Sequence, residues 1–127
     1  MATLTATGSQ GAPNTANLAT AQTGTGDTTN IIDTGRGLGP ALLKITSTIG
    51  ATPTVTLNIQ GSANGTDWYN VPYADSATPA TWVITALTIT TAVTSYKYLQ
   101  PNYPWRYLKA VLSANTNVTL TIDTWVW

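Results

Sequence analysis

The chain has 127 residues, and its five acidic side chains are balanced by five Lys and Arg, which leaves no net charge at pH 7. It contains no Cys and no His, so disulfides, thiolate metal sites and the most common general base are excluded. The low charge argues against nucleic acid and against electrostatic binding to membranes, and no apolar run is long enough to span a bilayer.

Residues 1–29 are almost all small or polar, and only Leu4 and Leu18 add large apolar groups. Such a segment has too little apolar surface to offset the entropy of ordering by itself. We interpret it as an N-terminal arm, either a flexible tail or an extended arm that becomes ordered along a neighbouring subunit. Leu4 and Leu18 are then candidate contacts of that arm. The segment lacks the basic and apolar parts of a secretory signal, so export is not expected.

Strand patterns begin after this segment. Asn30–Asp33 is short and apolar, and Ala41–Ile49 alternates between apolar and polar residues. The glycine-rich segment between them lacks the Lys-Ser/Thr pair of a phosphate loop, so we expect a turn. In Pro53–Tyr73 the alternation resumes, and Asn64-Gly65 suits a tight reversal. This stretch predicts a β-hairpin whose second strand is Asp67–Val71.

Short strands and turns continue to the C-terminus. Turns are predicted at 50–53, 74–79, 101–104 and 114–117, and strands at 94–100, 105–113 and 118–127. Residues 80–91 are predicted to form either one strand bent near Ala86-Leu87 or two short strands. No segment has the apolar period of a helix. We therefore predict an all-β chain with one domain at 30–127, a β-sandwich or jelly-roll-like domain of about seven or eight antiparallel strands. The extended arm at 1–29 precedes it.

The last strand carries the clearest candidate interface. Its apolar residues at 118, 120, 122 and 126 alternate with a set that includes Asp123, Trp125 and Trp127. If the first set faces the core, both Trp project on the solvent face with Asp123, which would be a costly exposed patch in a monomer. We take Asp123, Trp125 and Trp127 as candidate oligomer or capsid contacts. The alternative is a bulge that changes the register and folds Trp127 over the core edge.

Catalytic motifs are not evident. The five Asp are scattered beside turns or on Thr-rich faces, and no nucleophile–base motif is present. Enzyme activity is therefore not expected, and no cofactor is indicated. Asp67 and Asp75 could supply ligands to a calcium ion in the loops. The simpler interpretation of Asp67 is that it satisfies backbone N–H groups at the hairpin turn.

The hairpin sequence VTLNIQGSANGTDWYNVPYAD and the segment from Pro104 to Thr121 resemble a family of small virion proteins of tailed bacteriophages. The resemblance covers about Leu43 to the C-terminus. It implies a β-sandwich decoration or cement protein on the outer capsid surface of the virion, made in the host cytoplasm. The resemblance also implies a homo-oligomer, with a trimer favoured, that bridges copies of the major capsid protein.

A second interpretation is a carbohydrate-binding or adhesin-like module of a phage tail or fibre. The chain has five Trp and six Tyr but no Phe, and exposed rings of this kind can stack on sugars. Trp82 and Trp105 are the positions at which we would expect such stacking. Loss of glycan binding on their substitution by Ala would favour this alternative.

Overall fold

The sheet is built around two long antiparallel strands, β5 (Ala41–Ser62) and β10 (Tyr107–Val126). They belong to a computed structural model that describes residues 2–5, 14–34, 41–99 and 105–126. The two strands pair along their full lengths, with Ala41 opposite Val126 at one end and Ser62 opposite Tyr107 at the other. The strand that comes last in the chain therefore lies inside the sheet, between β5 and the N-terminal strands.

Eight shorter strands complete the sheet in the described part of the chain. On one side, β2 (Asn14–Gln22), β3 (Gly26–Asp27) and β4 (Asn30–Asp33) pair with β10, and β1 (Ala2–Thr5) adds to β4 in parallel. On the other side, β6 (Tyr69–Asn70), β8 (Leu87–Ile89) and β9 (Thr94–Leu99) pair with β5, and β7 (Tyr73–Asp75) pairs with β9. The prediction of an all-β chain is confirmed.

Both long strands are irregular at the same level. Ile49 lies opposite Val118 and Thr54 opposite Thr116, so residues 50–53 face only Asn117. The φ angles of Thr52 and Asn117 are positive, 47° and 56°. Because L residues adopt such angles rarely, these positions mark a local distortion of the ladder. The irregularity divides the ribbon into two halves.

We call residues 41–49 and 118–126 the first half, and residues 54–62 and 107–116 the second half. The first half is flanked by β2 on one side and by β9 and β7 on the other. The second half is flanked by β3 and β4 on one side and by β6 and β8 on the other. Each half therefore has its own neighbours, although β5 and β10 run through both.

One hydrophobic core serves both halves. On β5 every second residue is buried from Ala41 to Ser47 and again from Val55 to Gly61, while residues 48–52 between them are exposed. On β10 the alternation holds from Val118 to Val126. The buried apolar residues of the two halves belong to a single contiguous cluster. The predicted alternation is confirmed in these segments, since period-two patterns put one face of a strand against the core. It fails at Ile49, which was expected on the same face as Leu43 and Ile45 but is 44 % exposed.

Residues 14–22 are part of this sheet. β2 pairs with the C-terminal half of β10, and its Leu18 and Ala19 are fully buried in the common core. Both can face inward because the register shifts at this point, and a β-bulge turns two successive side chains to one side. This placement differs from the arm that we expected over residues 1–29. The composition was misleading because an edge strand needs few apolar anchors once its backbone is paired.

Two predicted turns are wrong. The chain does not reverse at 50–53 or at 114–117, because these segments lie inside the continuous strands β5 and β10. Their turn-like composition instead coincides with the irregularity of the ladder, where Thr52 and Asn117 have positive φ angles. Of the two arrangements expected for 80–91, the single bent strand does not form, and the segment instead has two separate short pairings, β8 and an isolated bridge between Tyr73 and Val83.

Candidate functional site

The predicted interface residues Asp123 and Trp125 lie on the outer face of the first half. Both are partly buried, and Asp123 Oδ1 accepts a hydrogen bond of 2.8 Å from Asn17 Nδ2 on β2. They border a shallow depression of about 340 Å³ between β2 and β10, which is also lined by Thr15 and Ala16. Asp123 is therefore engaged within the sheet, and Trp125 forms one wall of a surface groove.

Trp125 belongs to a row of large side chains across this outer face. Leu42 lies opposite Trp125 in the ladder, and Tyr98 lies opposite Leu42 on the next strand. All three are partly buried. Cross-strand neighbours of this kind contact one another and stabilise the sheet surface. The inward alternation continues to Val126, so the register change that we considered for the strand end does not occur before that residue.

The other three predicted interface residues are Leu18, Leu4 and Trp127. Leu18 is fully buried inside the sheet, so its side chain is not available on the surface of the monomer. Leu4 lies in β1, whose backbone pairs with β4. The side chain of Leu4 and the whole of Trp127 lie outside the described residues. The role of these positions in an interface remains a prediction.

A second surface lies at the end of the sheet where the predicted hairpin turns. Asn64 Oδ1 accepts hydrogen bonds from the backbone N–H groups of Thr66 and Asp67, at 2.8 and 2.9 Å. Asn64 Nδ2 donates to Asp67 Oδ2 at 2.9 Å, and Ser62 Oγ accepts the N–H of Gly65 at 2.9 Å. The turn is thus held by its own side chains. Asp67 receives the Asn64 amide, whereas we had expected it to satisfy backbone N–H groups.

Three ring contacts lie in the segments that flank this turn, and we call the residues that make them the aromatic–cation cluster, which consists of Trp68, Tyr69, Trp105, Arg106, Tyr107 and Lys109. The rings of Tyr69 and Trp105 stack with centroids 5.6 Å apart and an interplanar angle of 24°. Trp105 also packs against the core, while Tyr69 is 56 % exposed. Tyr69 therefore presents a ring to solvent that is supported from beneath.

The two cations of the cluster are held by carboxylates and rings. Lys109 Nζ lies 4.5 Å from the Trp68 ring centroid and 3.1 Å from Asp27 Oδ1, and its side chain is 10 % exposed. Arg106 lies over the Tyr107 ring at 5.3 Å and donates two hydrogen bonds of 2.9 Å to Asp33. The bonds and charge of Asp33 raise the pKa of Arg106 above its ordinary value. These contacts hold Lys109 and Arg106 in place, and none of them involves the exposed ring of Tyr69.

Asp75 and Lys97 form a third polar feature, at the edge near β7. Lys97 is buried on the inward side of β9 and donates to Asp75 Oδ2. The N–H of Ala77 donates to Asp75 Oδ1 at 3.0 Å. This backbone hydrogen bond and then the Lys97 hydrogen bond lower the pKa of Asp75. Nearby, burial is the main cause that raises the pKa of Tyr73.

Asp67 and Asp75, the two candidate calcium ligands, lie in separate loops and are each engaged by protein groups. Within the described residues, no group of three or more His, Cys, Asp or Glu comes together. The same residues include no helix of the length and hydropathy needed to cross a membrane.

Sequence reasoning identified the hairpin but not the cluster around its turn. The signal was present in part, because five of the six cluster residues stand in two runs, Trp68-Tyr69 and Trp105-Arg106-Tyr107. Nothing in the sequence shows that these two segments meet. Their meeting depends on the pairing of Ser62 with Tyr107, which brings the start of β10 beside the turn.

The comparisons with known proteins give a fold. No family model matches the chain, and no curated protein matches it significantly. Among solved structures, it is similar to the SPBc2 prophage-derived protein YomS, with a TM-score of 0.59 and 6% identity, over 91% of this chain and 95% of that one. The Aeromonas hydrophila protein PliG, a periplasmic lysozyme inhibitor of g-type lysozyme, aligns with a TM-score of 0.38 and 10% identity, over 99% and 96% of the chains, which is too distant to carry an argument. At these identities the likeness to YomS shows that the chain shares the fold of a prophage-derived all-β protein.

Proposed function

We propose that this chain is a non-enzymatic structural protein of a bacteriophage virion, a decoration or cement protein that binds the outer capsid surface. The observation that carries the proposal is the fold shared with a prophage-derived protein over 91% of the chain. The resemblance of the hairpin and of the segment from Pro104 to Thr121 to phage virion proteins supports it. In this role the protein stabilises the head by bridging copies of the major capsid protein.

The outer face of the first half is the surface that we assign to this binding. The row of Trp125, Leu42 and Tyr98 supplies an apolar centre, and Asp123 and Lys44 lie opposite one another in the next row. An apolar centre with a polar rim is the usual anatomy of a protein interface. We propose that this face buries against neighbouring subunits in a homo-oligomer, with a trimer favoured, or against the capsid lattice.

A phage that lacks the gene for this chain provides the test. Heads of the deletion phage are expected to bind the purified protein in co-sedimentation and to gain resistance to heating. Trp125→Ala should weaken this binding at least tenfold, since a central interface ring contributes about 2 kcal/mol or more. Tyr69→Ala, an exposed ring at the other end of the sheet, is the matched control. Gold-labelled antibody found on tails and absent from heads would refute the capsid role.

The stacked pair of Tyr69 and Trp105 favours a second candidate, a carbohydrate-binding or adhesin-like module of a tail or fibre. A ring that is 56 % exposed and supported by a second ring offers a flat apolar face, as sugar binding requires. Trp82, the other position that we considered, is 36 % exposed beside β7. Binding to a glycan array that is lost in Tyr69→Ala but retained in Trp125→Ala would support this candidate over the first.

A further inference from the structure

Three successive large apolar side chains are exposed at the edge of the first half. Trp82 is 36 %, Val83 38 % and Ile84 55 % exposed. They lie beyond β7, where Val83 bridges to Tyr73. The whole stretch from Ser76 to Thr94 contains no charged residue. Soluble proteins rarely leave such a run uncovered without a partner for it.

Two backbone hydrogen bonds attach this segment to β7 at the edge of the sheet. The N–H of Val83 donates to the carbonyl oxygen of Tyr73 at 2.9 Å, and the N–H of Tyr73 donates to that of Val83 at 2.8 Å. The hydroxyl of Tyr73 also donates to the carbonyl oxygen of Thr85 at 3.0 Å. Residues that flank such a doubly bonded residue direct their own N–H and C=O groups away from the partner strand. The backbone groups of Trp82 and Ile84 therefore point outward, and within the described residues they have no hydrogen-bond partner.

We propose that this edge pairs with the same edge of a second copy of the chain. The pairing is antiparallel, and the two-fold axis passes between the two Val83 residues. Trp82 of each copy then lies opposite Ile84 of the other, and each such pair exchanges two hydrogen bonds. The two Val83 side chains meet as a close, non-hydrogen-bonded pair. The sheet of the first half thereby continues from one copy into the other.

The segment is self-complementary, which favours a second copy over another partner. Reversing it places an aromatic side chain opposite a β-branched one on both sides of the axis, a stabilising cross-strand combination. The segment from Ser76 to Thr94 itself carries no charge that would oppose this approach. Edge strands are ordinarily protected by Lys, Pro or a bulge, and residues 82–84 carry none of these.

The strength of the contact follows from its size. A pairing of three residues is shorter than a standard interface, so the complex should be weak and dependent on concentration. Its population rises when copies are held close together, as a multivalent lattice holds them. The contact does not depend on the proposed capsid role. A monomer would become a dimer, and a trimer would become a pair of trimers, so the mass doubles in either case.

Disulfide trapping gives the first test, because the chain has no Cys of its own. In Val83→Cys the two sulfur atoms would face each other across a narrow pair, where Cα atoms lie about 4.5 Å apart, within the range that a disulfide spans. Thr88→Cys, exposed on β8 at the edge of the second half, is the matched control. Under copper-phenanthroline oxidation the first variant should cross-link at least tenfold faster. Equal rates would overturn the proposal.

Introducing a charge at Val83 gives the second test, in which analytical ultracentrifugation measures the mass of the protein over a wide range of concentration. The mass of the wild type should approach twice that of Val83→Lys at the highest concentration, while Thr88→Lys should behave as the wild type does. Mixing Val83→Lys with Val83→Glu should restore the doubled mass, since opposite charges then meet across the axis. If the wild type and Val83→Lys have equal masses at every concentration, the proposal is refuted. Circular dichroism establishes whether each variant is folded. If a charged variant is not folded, the cross-linking rate of Val83→Cys decides whether the proposal holds.

Discussion

Replacing Leu18 by Ala tests whether residues 14–22 belong to the folded domain. The Leu18 side chain is fully buried in the common core, at the bulge where β2 pairs with β10. Truncation removes its transfer free energy and leaves a cavity, and such substitutions cost roughly 2.7–5.0 kcal/mol in well-packed cores. An edge strand can move inward to fill part of the space, so we expect the lower end, about 3 kcal/mol. For a domain of this size that corresponds to a fall in Tm of about 10 °C.

Urea unfolding followed by Trp fluorescence measures this loss, with circular dichroism as a second probe. Thr15→Ala is the control, because Thr15 is exposed on the same strand and its substitution should change stability by less than about 0.5 kcal/mol. The slope of free energy against urea should be unchanged in both variants. If Leu18→Ala is no less stable than Thr15→Ala, β2 contributes nothing to the fold and the description of the core is wrong. By the same reasoning, deletion of residues 1–28 should unfold the domain rather than release an arm.

Three further outcomes are expected. Asp75→Asn leaves a buried ammonium without its carboxylate and should cost about 1–3 kcal/mol at neutral pH. Because the folded-state pKa of Asp75 lies below 3.8, the wild-type advantage is complete above pH 3.8 and is lost as the pH falls further, so denaturation curves of the two proteins should converge in acid. Gly65→Ala forces a side chain into φ +78° and should cost about 1–2 kcal/mol in thermal unfolding, while Gly24→Ala, which has open space and an ordinary φ, should not destabilise the fold. A double-mutant cycle of Trp68→Ala and Lys109→Met should give a coupling of about 0.5–2 kcal/mol, and additive effects would contradict the cation–π contact.

The parts of the fold that depend on local pattern could be predicted from the sequence. The alternation of Val55, Leu57 and Ile59 placed these side chains on the buried face, and they lie there. The hairpin at Asn64-Gly65 was also predictable, because its turn chemistry is local and its return strand β6 pairs as expected. Such features are set by neighbouring residues, and a single sequence contains them in full.

The features that depend on distant contacts could not be predicted in the same way. Leu18 is held by residues about a hundred positions later in the chain, and its isolated apolar side chain gives no periodic signal. The segments 50–53 and 114–117 have the composition of turns, yet each lies opposite the other strand instead of reversing. The aromatic–cation cluster has the same origin, since two separate segments meet only through the register of β5 and β10. In each case tertiary pairing overrode the local preference.

The position of β10 inside the sheet has a consequence for how the protein is made. β2, β3, β4 and β5 all pair with this strand, so they lack their main partner until residues 107–126 have been synthesised. Most of the chain must therefore emerge from the ribosome before the sheet can close, and the pairing of β2 with β10 must join segments separated by about a hundred residues. Topologies dominated by such distant pairings fold slowly. During this interval the strands that will flank β10 keep an unpaired edge, and such edges expose a chain to association with other nascent chains.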